Sequence, residues 1–171
     1  MKTKLITASI VVVLLMPFLF GGCAKDTSNE GFAIYLTKDN APVAQMEALS
    51  HIELAHTPVI SSKDIVSYDW ETHDILLTPG GYARLEAMHF PVNGTAFVVC
   101  VDKTPLYWGA FWAPFSSLSF SGVVIMIPSI HGENIINIEL GYPLADFASG
   151  EDPRASTVIK EALQKAGKLK G

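Results

Sequence analysis

Between positions 93 and 140 the chain is a series of short apolar runs, rich in β-branched and aromatic residues and separated by turn formers. That pattern constrains the fold more than any other feature of the sequence. Asn93-Gly94 is a turn pair that leads into a predicted strand over 95–101 (Thr-Ala-Phe-Val-Val-Cys-Val). A turn near Asp102-Lys103-Thr104-Pro105 separates it from a strand over 106–113, and further strands are expected over 122–127 and 135–140. Residues 31–37 read as an opening strand, closed off by Asp39 and Asn40, and 75–77 as the clearest strand of an otherwise ambiguous stretch, 52–76.

Helical signals interrupt the strands. Pro42 is placed to start a short helix running to position 49, and Thr78-Pro79 supplies a cap and a first-turn proline for a helix over 78–88. Near the C-terminus, Asp152 and Pro153 provide the same start. Val158, Ile159, Ala162, Leu163 and Ala166 share a face, Gly167 provides a stop, and Lys165 and Lys168 suit the negative end of the helix dipole. Strands mixed with three helices, without regular β-α-β spacing, predict an α+β fold: one domain over 31–171, mainly antiparallel sheet, with helices packed on one face.

Composition closes off several function classes. The 171 residues are 49% hydrophobic and 17% charged, which excludes a disordered chain. A formal charge of −5 argues against a nucleic-acid surface. Cys23 and Cys100 are the only cysteines, too few for a disulfide scaffold. Cys100, inside the apolar run 97–101, reads as a buried structural thiol.

Residues 1–22 stand apart. Lys2 and Lys4 precede a mostly apolar run over 5–20, then Gly21, Gly22 and Cys23, which is the layout of a secretory signal rather than of a comfortable membrane span. The ending Leu19-Phe20-Gly21-Gly22-Cys23 resembles the lipobox of prokaryotic membrane lipoproteins, with Phe20 where leucine is commoner. The resemblance implies cleavage before Cys23, a diacylglycerol on its thiol and acylation of the new amino group. Two or three acyl chains anchor a protein stably, at about 0.8 kcal/mol per buried methylene. Cleavage removes Lys2 and Lys4 and takes the formal charge from −5 to −7. Residues 23–30 then form the lipidated cysteine and a polar tether that extends at most about 25 Å. The implied location is extracytoplasmic, on the cell membrane or the outer membrane. Ala24, which is not the aspartate associated with inner-membrane retention, implies the outer one where a cell has two.

A second resemblance covers residues 75–127. The order is a strand, then Thr78-Pro79-Gly80-Gly81-Tyr82 opening a helix, and then Gly94 before a strand that ends Val101-Asp102-Lys103-Thr104-Pro105-Leu106-Tyr107, with Ser121-Gly122 before another strand. It is similar to the extracytoplasmic domain of SecD, and it implies a helix-on-sheet fold and contact with unfolded chains, not a motor. The Trp-rich stretch 108–112 falls outside the shared pattern.

Few residues suggest chemistry. The five histidines (51, 56, 73, 89, 131) show no His-Glu-x-x-His spacing. Asp69, Glu71 and His73 alternate and would share one face if extended, so they form the one arrangement that a metal-dependent hydrolase would use. Ser117, Ser119 and Ser121 alternate with Leu118 and Phe120 as in a half-buried strand, and no Gly-x-Ser-x-Gly elbow surrounds them. No cofactor is expected. The aromatic stretch 106–115 puts Trp108 and Trp112 on one face and Tyr107 and Phe111 on the other. It is either a strand covered on both sides or a recognition face for a protein, peptide or apolar ligand. The reading favoured is a non-enzymatic binding or accessory lipoprotein, with a metal-dependent hydrolase or an accessory of protein export as the alternatives.

Overall fold

A computed structural model describes residues 30–171 as an α+β fold of two sheets and two α-helices. The first sheet is built around β4 (Thr95–Val101), whose seven residues are all buried. A strand covered on both faces reads as an unbroken apolar run, which is how 95–101 is written. β4 lies between β1 (Phe32–Leu36) and β5 (Thr104–Trp112), antiparallel to both, and β6 (Phe120–Met126) and β8 (Glu139–Tyr142) complete the order β1-β4-β5-β6-β8. Asp102 and Lys103 close the β4–β5 hairpin with φ of 49° and 63°, the backbone handedness that matches strand twist in a two-residue turn.

The second sheet has the order β7-β3-β2-β9. β2 (Ile65–Asp69) and β3 (Asp74–Leu77) form a hairpin, β7 (Ile135–Asn137) pairs antiparallel with β3, and β9 (Leu169–Lys170) runs parallel to β2. Of the seven strand pairings, only β2–β9 and β5–β6 are parallel.

α1 (Pro79–Glu86) starts at Thr78, whose hydroxyl accepts the Gly81 N–H at 3.1 Å. α2 (Thr157–Lys165) buries Ile159 and Leu163. These join Leu85 of α1 in the largest core cluster, together with Phe32, Ile34, Phe97, Val99, Tyr68 and Ile75.

Several expectations are corrected. The segment after Pro42 forms two short 3-10 turns, Val43–Gln45 and Leu49–His51, with no buried side chain to extend them into a helix. The run 135–140 is two strands in different sheets, with buried Ile138 between them. Asp152 caps a 3-10 turn, Pro153–Ala155, and α2 begins after it at Thr157, with Ser156 as its N-cap. Val158 is exposed. Residues 117–119 are not strand: the chain between β5 and β6 folds back as a short crossover over the sheet. It is fixed where the Tyr142 hydroxyl lies 2.9 Å from the Pro114 carbonyl and 3.0 Å from that of Ser116.

Candidate functional site

The aromatic strand is covered on both sides. Tyr107 and Phe111 face the main core, where Phe111 stacks on Phe90 at 4.5 Å and meets Phe97 at 5.0 Å. Trp112 faces the opposite way, stacked on Phe120 at 5.4 Å with Tyr142 at 5.9 Å. Trp108, half-buried, packs beside Tyr35 and Cys100. Gly109 lies between the two tryptophans because a Cβ there would come 2.5 Å from both the Phe97 ring and the Val123 carbonyl. Tyr107, Phe111 and Trp112 therefore present no open aromatic face. The two-faced alternation is that of an interior strand, and only Trp108 retains partial exposure. Exposed apolar side chains include Phe115 and Leu118 on the crossover and Leu144 and Phe147 beyond β8, with Val66, Val92, Ile130 and Val158 elsewhere.

The three ligand-type residues are likewise not brought together. Residues 70–72 form the tight turn between β2 and β3 rather than extended strand. The Asp69 carboxylate accepts the N–H groups of Glu71 and Thr72 at 3.0 and 3.1 Å, which holds it below the usual carboxylate range, while Glu71 points to solvent. Among the described residues no group of three or more His, Cys, Asp or Glu side chains is placed to hold a metal ion.

His73 does something else. It sits at φ 59° at the end of that turn, with Nδ1 2.9 Å from the Tyr68 hydroxyl in a buried contact. Its carbonyl accepts the Ile138 N–H at 3.1 Å, and the Ile138 carbonyl accepts Arg154 Nη1 at 2.7 Å. Arg154 in turn grips Asp152 through two bonds, Nε to Oδ1 at 2.9 Å and Nη2 to Oδ2 at 2.7 Å, the planar fork that makes arginine–carboxylate pairs strong. Burial, reinforced by the Arg154 charge, pushes the His73 pKa down, while burial pushes the Tyr68 phenol up. Both groups are thus neutral near pH 7, and the network ties the β2–β3 hairpin to the junction of β7 and β8 and to the start of α2. It is not legible in the sequence, because the links through Ile138 join segments far apart in the chain and nothing local marks Tyr68 and His73 as partners.

Of the remaining nucleophiles, Cys100 is enclosed and Ser116 engaged, while Ser117, Ser119 and Ser121 are exposed on or next to the β5–β6 crossover. Burial pushes the Cys100 thiol up to about 12, leaving almost no reactive thiolate near neutrality. Ser116 donates its hydroxyl proton to the Val92 carbonyl at 2.7 Å. Cys23 lies outside the described residues. No family model, curated protein sequence or solved structure matches the chain.

Proposed function

We propose that the chain is a membrane-anchored lipoprotein, held at the envelope by acyl chains on Cys23, whose α+β domain serves as a non-enzymatic binding or accessory module. One observation carries the reading: the succession of Lys2 and Lys4, an apolar run, and Leu19-Phe20-Gly21-Gly22-Cys23. Residues 31–171 are read as one domain with both helices on the same face of the five-stranded sheet. In support, Leu85, Ile159 and Leu163 share a core cluster with Phe32, Ile34, Phe97 and Val99. A binding role fits the enclosed state of Tyr68, His73 and Cys100 better than group chemistry does. It leaves the exposed Phe115 and Leu118, not Trp112, as the apolar contact residues for a protein, peptide or apolar ligand.

Intact-mass measurement on protein taken from membranes tests the anchor. The expected species begins at Cys23 and carries two or three acyl chains, and Cys23→Ser retains residues 1–22. An unmodified Cys23, or processing of the Ser variant like that of the parent, overturns the proposal.

A further inference from the structure

The described fold begins beside an open groove of mixed charge. Gly31 is tied twice to Asp102: its N–H donates to Oδ1 at 2.8 Å, and its carbonyl accepts the Asp102 N–H at 3.0 Å. The chain thus enters the domain at the β4–β5 turn, next to Lys103. An open groove of about 770 Å³ adjoins that point, with Glu30, Lys63, Asp64, Arg84 and Lys103 on its walls.

Of the acids at this end, Glu161 is exposed in the adjoining cavity beside Gly31 and Asp102, and the others are hydrogen-bonded within the protein. Asp102 holds Gly31, Glu30 accepts the Tyr35 hydroxyl at 2.7 Å, and Asp64 accepts both the N–H and the hydroxyl of Ser61 while pairing with Arg84 at 2.6 Å. Lys63 and Lys103 are different. Both are exposed, and among the described residues neither forms an ion pair, whereas Lys38 pairs with Glu53 and Arg154 with Asp152.

We propose that this end of the domain docks on anionic phospholipid headgroups, with Lys63 and Lys103 making the contacts; the proposal rests on the lipoprotein reading above. The tether from Cys23 to Glu30 spans at most about 25 Å, so the entry point at Gly31 cannot leave the neighbourhood of the bilayer. Lys103 follows Asp102, which holds Gly31, and Lys63 follows Ser62, whose side chain lies 3.9 Å from where a Gly31 Cβ would stand. A body of net charge −7 is repelled by an anionic leaflet as a whole. Screening over roughly 8 Å at physiological salt lets only the charges closest to the surface act strongly. Two unpaired lysines at the attachment point therefore make this end of an acidic body the one that turns toward the lipid.

The test uses the full acylated chain, its Cys23 modification verified by mass. It is reconstituted into vesicles of pure phosphatidylcholine or of an equimolar mixture with phosphatidylglycerol, and lysine acetylation rates are read residue by residue. The rates at Lys63 and Lys103 are expected to fall roughly fivefold on the mixed vesicles, the factor that matches one lysine's attraction to an anionic surface. They should recover in about 1 M salt, where screening shortens to ~3 Å. Lys38, beyond the far end of β1, serves as the control and keeps its rate. Equal rates at Lys63 and Lys103 on both vesicle types, with the acyl mass present, overturn the headgroup contact alone. So does equal protection by inorganic phosphate on pure phosphatidylcholine vesicles, which assigns the groove to a free anion. Absence of the acyl mass overturns the anchor and this orientation with it.

Discussion

Trp112 is held by stacking on Phe120, by Tyr142, and by the bare Cα of Gly94, where a Cβ would collide with the indole ring. Truncating a buried aromatic of this size removes transfer energy and leaves a cavity, at about 3–5 kcal/mol. Trp112→Ala is therefore expected to lower the denaturant midpoint strongly at unchanged m-value, and Trp108→Ala, at a half-buried position, to lower it less. A Trp112→Ala protein as stable as the parent would contradict the packing described. At this scale the sequence reveals residue type but not surroundings. The alternation of 106–115 assigned each aromatic to its face, yet whether a face is covered depends on Phe90, Phe120 and Tyr142, which arrive from other elements. Asp69, Glu71 and His73 failed to converge for a related reason, since a three-residue turn abolishes the alternation that put them on one face.

Among elements, the junction most dependent on a single side chain is the one Arg154 makes. It joins the turn before α2 to Ile138, the residue at which the chain leaves β7 in one sheet for β8 in the other. Removing the guanidinium leaves the Ile138 carbonyl and the Asp152 carboxylate without that partner, and hydrogen bonds to charged groups are worth about 1.5–3 kcal/mol. Arg154→Ala is expected to cost about that much in chemical unfolding, with Arg154→Lys recovering only part because a lysine cannot form the fork. Element by element, β4, the β4–β5 turn and α1 were legible because each is specified locally, by an apolar run, a turn pair or a cap. The break within 135–140 was not, because two strands buried in succession read as one. β9 was invisible too: two residues carry no periodicity, and its pairing with β2 is set by where α2 delivers the chain.

For the whole molecule, buried ionisable groups define a pH window of stability. His73 titrates below its ordinary value of 6.5 when folded. The unfolded chain thus takes up that proton first, and stability falls as pH drops below about 6.5. Asp64 and Asp152, held low through hydrogen bonds with Ser61 and Arg84 and with Arg154, lose their contributions as pH falls through the carboxylate range. On the alkaline side, burial raises Tyr35, Tyr68, Tyr107 and Cys100, so the folded state keeps protons that the unfolded state releases. Stability falls again above about pH 9. Thermal melts across pH should trace a plateau between these limits, and His73→Phe should flatten the decline just below pH 6.5 while leaving the alkaline limb in place.

The last two-residue strand has a further consequence for biogenesis. β9 supplies the neighbour on one side of β2, and the N–H groups of Tyr68 and Trp70 bond to the carbonyls of Lys168 and Lys170. A chain that emerges N-terminus first offers β2 early and its closing partner last. During that interval the hairpin carries an unfilled rim of backbone donors, the kind of rim that recruits strands from neighbouring molecules. Completion of the smaller sheet thus waits until residues 168–170 have been made.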